Sequence, residues 1–230
     1  MSDNERSPEA VQRGRAMARI LLDIGATNIR PDEPFTFTAG WKSPVYIDCR
    51  KLISFPAERS RAMAMAMDVI DKEVGFDSFD AVAGGETAGI PYAAWIADAA
   101  GKPMMYVRKQ PKGFGRNAQI EGDPQEGKRL ILVEDLTSDG GSKIKFAGAI
   151  RGAGMSVANT FVLFSYGVFP GAREALTGAS LTLHYLADWW DILAEAEVGG
   201  DYPAPALAAA RAFLTNPVAW SAAHGGKGAD

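Results

Sequence analysis

Two adjacent carboxylates, Glu134 and Asp135, directly follow the aliphatic run Leu130-Ile131-Leu132-Val133 and directly precede Leu136-Thr137-Ser138-Asp139-Gly140-Gly141-Ser142. Side chains alternate along an extended strand, so both acids cannot be comfortably buried. At a strand end they are placed to accept hydrogen bonds from vicinal hydroxyls, which is the chemistry of a sugar diol. The small side chains from Thr137 to Ser142, with the permissive backbone of Gly140 and Gly141, let consecutive N–H groups converge on an anion just before a helix expected near Ser142. The string is a candidate phosphate cradle. It contains neither GxxxxGK[ST] nor GxGxxG, so the Walker A and dinucleotide-binding turns are excluded. A polar loop with an acidic helix cap would account for any one of these residues; the whole string in this order favours a ligand.

Two further segments carry candidate chemistry. Arg108, Lys109 and Lys112 lie in a stretch broken by Pro111, Gly113 and Gly115, too glycine-rich for a packed element and too charged for a core. Gly84-Gly85-Glu86-Thr87-Ala88-Gly89 falls at another expected strand-to-helix junction, where backbone N–H groups can face an anion.

The elements that must position these residues are legible from periodicity and punctuation. Ser7-Pro8-Glu9 is a helix start, with a capping hydroxyl, proline in the first turn and an acid on the positive helix end, and the apolar residues run on toward Gly25. From Phe35 to Ile47 the alternation of apolar residues and threonines around a glycine predicts a hairpin or two short strands outside any α/β repeat. Pro56 and Glu58 open a second helix that closes at Lys72 to Gly75. After Gly75, short apolar runs (Ala81 to Ala83, Met104 to Val107, Leu130 to Val133, Val157 to Phe164) alternate with helical stretches (Gly89 to Ala100, Ser142 to Ala153). That rhythm predicts a parallel sheet with right-handed crossovers and functional loops at the carboxyl ends of its strands. Leu181 to Val198 adds a strand and a helix containing Trp189 and Trp190, and a C-terminal helix runs to Leu214. The glycine-rich tail from His224 is expected to fray.

Composition narrows the function classes. At 230 residues with 47% hydrophobic side chains the chain can bury a full α/β core, and a net charge of −4 gives no basic footprint for nucleic acid. One cysteine, Cys49, and two histidines exclude an intrachain disulfide and a zinc cluster, which favours a reducing, cytoplasmic setting. The polar start and the lack of a long apolar run predict neither a secretory signal nor a membrane span.

The order of aliphatic strand, two acids and T-S-D-G-G-S resembles the motif that binds phosphoribosyl pyrophosphate (PRPP) in type I phosphoribosyltransferases. The segments FTFTAGWKSPVYIDCRKL, GGETAGIPYAAWIA and PMMYVRKQPKGFGRNAQIEG resemble, in order, those of orotate phosphoribosyltransferases. The resemblance covers roughly Phe35 to Phe164, with weaker similarity through Trp189. It implies an α/β fold: a parallel-sheet core over residues 76–200, an N-terminal helix and small hood over 1–75, and a C-terminal helix and tail over 201–230. It also implies a homodimer without nucleic-acid or membrane partners, whose substrates are PRPP and orotate. Mg2+ would be held mainly by PRPP and water, with no direct protein ligand.

Residue by residue, the resemblance makes Lys112 and Asp135 catalytic. Arg108, Lys109, Lys112, Glu134, Asp135, Leu136, Thr137, Ser138, Asp139, Gly140, Gly141 and Ser142 would bind PRPP, and Ser138, Tyr46 and Ile47 the orotate. The acids would take the ribose hydroxyls, the 137–142 loop the 5′-phosphate, and the 84–89 turn the pyrophosphate. The chain departs from the pattern at four places. Phe114 replaces a histidine of some relatives, with Arg116 as a substitute cation, and Ala88 and Thr38 replace lysines. Ser165-Tyr166 stands where many orotate enzymes have Asp-Arg. Another nucleobase, or a non-catalytic PRPP-sensing regulator, is the alternative reading.

Overall fold

The computed structural model of the chain describes residues 6–37, 40–112 and 119–228. The elements run α1 (Pro8–Asp23), β1 (Thr27–Ile29), β2 (Phe35–Thr36), β3 (Lys42–Ser43), β4 (Val45–Ile47), α2 (Pro56–Val69), β5 (Ala81–Gly85), α3 (Gly89–Ala100), β6 (Met104–Val107) and β7 (Ile120–Glu121). They continue with β8 (Arg129–Thr137), α4 (Gly141–Gly152), β9 (Ser156–Ser165), α5 (Ala172–Gly178), β10 (Thr182–Asp188), α6 (Trp189–Gly199), α7 (Ala204–Thr215) and α8 (Pro217–Ala223). Two compact units form: one from residues 1–55, 166–169 and 187–230, the other from 56–165 and 170–186.

The second unit is built on a six-stranded sheet of order β10-β9-β8-β5-β6-β7. The pairs β5–β6, β5–β8 and β8–β9 are parallel, and β6–β7 is antiparallel. This is the α/β class that the alternation predicts, with β7 as an addition. Leu130 to Val133 and Phe161 to Phe164 are buried, as expected of central strands covered on both faces, where each side chain contributes about 1.5–3 kcal/mol. Phe146, Ala147 and Ile150 of α4 pack on Ala83, Leu130 and Leu132. The described residues include no helix long and apolar enough to cross a membrane.

One boundary moves in a way that matters for the site. The strand carrying the two acids does not end at Val133; β8 runs on to Thr137, so Glu134 and Asp135 lie inside it. The reason is the neighbouring strand. β8 pairs with β5 only as far as Gly84 opposite Val133, but β9 supplies partners up to Ser165 opposite Thr137.

The first unit collects sequence-distant pieces. The Ser7 hydroxyl caps α1, accepting from the Ala10 N–H at 3.2 Å, as the helix-start signal predicts. The expected hairpin resolves into two pairings, β2 with β3 and β4 with β1. The tail does not fray over its described part: Ser221 Oγ of α8 accepts the Lys42 N–H at 3.0 Å, and the Lys227 N–H reaches the Gly40 carbonyl at 2.9 Å. These bonds satisfy hairpin backbone groups that the two-residue strands leave unpaired.

Arg6 forms the charged centre of this unit, its guanidinium 2.9 Å from Asp191 and 3.5 Å from Asp188 with all three side chains buried. One cation faces two carboxylates, and burial, reinforced by the Asp188 charge, pushes Asp191 up to about 6. A raised acid stabilises the fold fully below its ordinary 3.8 and loses that contribution as the pH rises through about 6. Thermal stability should therefore fall as the pH rises from about 4 to about 7, by the equivalent of up to 2–3 kcal/mol, and Asp191→Asn should flatten the profile. Parallel profiles for the two proteins would refute the assignment.

Candidate active site

The carboxyl ends of β5, β6 and β8 lie side by side, with Gly85 opposite Val107 and Gly84 opposite Val133. Open parallel sheets offer their ligand sites at these ends. Glu134 and Asp135 alternate as the strand geometry requires: Glu134 is buried and Asp135 half-buried. Glu134 is ion-paired with Lys143 of α4, and its Oε2 accepts the Ser142 hydroxyl at 3.0 Å. Asp135 has a raised pKa because burial disfavours its charge, an effect opposed by the Lys143 ammonium and reinforced by Glu134. It is the more accessible of the two acids.

The following loop has the expected form. Thr137 is buried, and its hydroxyl has no hydrogen-bond partner. Ser138 is half-buried and Asp139 exposed, and Gly140 takes a left-handed φ of 80° that a side chain would strain. Helix α4 begins at Gly141, one residue before the predicted start, so its free N–H groups face the loop. One of them is already engaged: the Gly141 N–H donates to Asp139 Oδ1 at 3.0 Å. An anion seated at this helix end competes with that carboxylate for the Gly141 donor.

The turn at residues 84–89 approaches this strand very closely. A Cβ on Gly89 would stand 2.3 Å from the Val133 carbonyl oxygen, and one on Gly85 would stand 2.5 Å from Glu134 Oε1. Gly89→Ala should therefore cost about 1–3 kcal/mol by forcing α3 off β8, measurable as a lowered denaturation midpoint. An unchanged midpoint would show that the helix start yields freely.

The basic segment leaves the end of β6. Arg108 and Lys112 both face Glu121 of β7, Arg108 at 3.5 Å and Lys112 in a closer ion pair. Glu121 is held below its usual carboxylate range, chiefly by the Lys112 hydrogen bond. The Lys109 N–H donates to Glu86 Oε2 at 2.6 Å, fixing the start of the segment to the 84–89 turn. The structure thus gathers Arg108, Lys109 and Lys112 beside two carboxylates, Glu121 and Glu86, whose side chains have no role in the sequence reading. Lys143 and Glu121 are the residues sequence reasoning missed; Glu86 enters it only as part of the 84–89 turn, for its backbone and not its carboxylate. Only Lys143 left a local trace, as a cation in the first turn of a helix, where the dipole disfavours it.

In the first unit, Tyr46 and Ile47 lie on β4. Tyr46 is half-buried, 5.1 Å from the Phe35 ring, and its hydroxyl lies 3.3 Å from the Arg50 guanidinium. Ile47 is 1% exposed, and its N–H donates to the Tyr166 hydroxyl at 3.4 Å. Tyr166 packs against Phe37, Phe169 and Trp189, and burial raises its pKa well beyond that of an ordinary phenol. It is a neutral core residue. Thr38, Phe114 and Arg116 lie outside the described residues.

No family model matches the chain. The chain is 52% identical over 217 residues to the orotate phosphoribosyltransferase of Cereibacter sphaeroides, covering 94% of each. Among solved structures, the orotate phosphoribosyltransferase of Aeropyrum pernix is 33% identical with a TM-score of 0.68, over 80% of this chain and 98% of that one. The UMP synthase of Leishmania donovani superimposes with a TM-score of 0.75 at 26% identity, over 88% of this chain. The chain spans 42% of the length of that protein.

Proposed function

The chain belongs to the orotate phosphoribosyltransferase family, and from that membership we propose which of its residues carry the reaction. The enzyme transfers the ribose 5-phosphate group of PRPP to orotate, giving orotidine 5′-monophosphate and pyrophosphate in pyrimidine biosynthesis. The observation that carries the residue assignment is the junction of β8, the 137–142 loop and the start of α4. There a half-buried carboxylate, an unpartnered buried hydroxyl and a helix N-terminus occur within eight residues, Asp135 to Ser142.

Glu134, Asp135 and Leu136 form the ribose side of the PRPP site, with Asp135 the more accessible acceptor for the hydroxyls, and Thr137, Ser138, Asp139, Gly140, Gly141 and Ser142 surround the 5′-phosphate. Ser138 also reaches the base, with Tyr46 and Ile47 as the remaining orotate-binding residues. Breaking the bond from C1 to pyrophosphate develops positive charge on the ribose and negative charge on the leaving group. The 84–89 turn offers N–H groups to that pyrophosphate, and Arg108, Lys109 and Lys112 supply cations to it. Lys112 must exchange Glu121 for a phosphate oxygen to do so. The orotate nitrogen then attacks from the opposite face of the ring, and positioning lowers the barrier further.

No three His, Cys, Asp or Glu side chains converge on a common point among the described residues. The proposed Mg2+ would be held mainly by PRPP and water, in keeping with the way this ion retains several waters and binds through substrate oxygens. Bound with PRPP, Mg2+ supplies charge neutralisation at the pyrophosphate oxygens. We further propose a cytoplasmic homodimer. A single, buried cysteine, Cys49, which can form no intrachain disulfide, is compatible with that compartment.

The decisive test is the ultraviolet absorbance of orotate on mixing with the protein, PRPP and Mg2+. Magnesium-dependent decay is expected. If orotate is untouched while another nucleobase is consumed, the base assignment is wrong.

A further inference from the structure

We propose that Lys143 is a positioning residue for this reaction: its buried ammonium is the fixed counter-ion of Glu134, so that Asp135 alone of the acid pair is presented to the ribose of PRPP. The proposal rests on the functional reading above and assigns the two acids different tasks.

Lys143 has a side chain only 4% exposed, and it stands in the first turn of α4. Both facts disfavour a cation, since burial removes its hydration and the helix N-terminus carries positive partial charge. Against that cost, all three donors of the ammonium are used. They reach the Glu134 carboxylate, the Leu136 carbonyl and, at 3.1 Å, the Ser142 hydroxyl. Leu136 and Ser142 bracket the phosphate loop, so one side chain spans its two ends.

Glu134 is enclosed by the same arrangement. Oε2 takes the ammonium and the Ser142 hydroxyl, while Oε1 lies where only a glycine fits at position 85, with the Phe146 ring also beside that position. A carboxylate held in this way has little left to offer a diol. Asp135, on the opposite face of the strand, is left with that task.

Charge gives the arrangement its consequence. PRPP is a strongly anionic substrate, and two adjacent unpaired carboxylates would repel it. With Lys143 in place the pair presents a single negative charge. A Met at this position would retain the packing volume, but it would leave the buried Glu134 with the Ser142 hydroxyl and no counter-ion.

The test compares wild type, Lys143→Met and the charge-neutral double variant Glu134→Gln/Lys143→Met. PRPP affinity is measured by calorimetry with Mg2+, and KM for each substrate in the orotate assay. Lys143→Met should raise the PRPP Kd by at least roughly 10-fold, with the orotate KM changed far less. The double variant should recover PRPP binding to within about fivefold of wild type, because no uncompensated charge remains. A double variant as weak as the single one, or a single variant indistinguishable from wild type, would overturn the proposal. If Lys143→Met does not fold, the double variant still decides, since weak PRPP binding by a folded neutral pair contradicts the counter-ion role. A wild type that binds no PRPP would instead overturn the functional reading, and the proposal with it.

Discussion

Lys112→Ala should cut turnover of orotate by about two to three orders of magnitude, roughly 3–4 kcal/mol of transition-state stabilisation. The loss should fall mainly on kcat. In the structure Lys112 is paired with Glu121, which Arg108 also faces, so its ground-state partner is a carboxylate of the protein. The lysine becomes worth more to the enzyme only as negative charge grows on the departing pyrophosphate, and that timing separates catalysis from uniform binding. Lys112→Arg retains the charge with a different reach and should recover part of the rate. Steady-state kinetics in orotate and PRPP separate the outcomes. A variant with unchanged kcat and a raised PRPP KM would make Lys112 a binding cation. Full activity in Lys112→Ala would remove it from the mechanism.

The parts of this site differ in how openly the sequence displays them. Aliphatic runs bounded by glycine, proline and charge marked β5, β6, β8 and β9, because buried parallel strands need nothing else. The two seven-residue helices α5 and α8 left no comparable pattern, being too short to show a period, and neither did β1, three residues ending in one apolar side chain. The extension of β8 through its acids was hidden for a different reason. Glu134 and Asp135 look like a strand exit until a ten-residue β9 supplies the facing ladder. The discontinuous first unit is likewise a matter of long-range pairing, as Arg6 with Asp188 and Asp191 illustrates. The phosphate loop was legible because glycine and small polar residues carry their backbone meaning locally. Lys143, Glu121 and the Glu86 carboxylate were not, because a long charged side chain acquires its role only from the partner that tertiary structure brings to it.

Asp135→Asn is the variant that divides the acid pair. Two hydrogen bonds from ribose hydroxyls to a carboxylate are each worth about 1.5–3 kcal/mol, and an amide keeps a weaker version of them. A fall of about 10² to 10³ in kcat/KM for PRPP is expected, larger than any loss from neutralising Glu134 together with Lys143. The pH profile gives a second, independent sign. Burial raises the Asp135 pKa, with Lys143 acting against that rise. The ionised form is the acceptor, so activity should fall as the pH drops through the raised value, earlier than an ordinary aspartate would allow. An asparagine does not titrate, and the acidic limb due to this group should vanish from the residual activity of Asp135→Asn. If the limb persists unchanged, the titrating group lies elsewhere. If the limb vanishes but the rate hardly falls, Asp135 shapes the field of the site without holding the ribose.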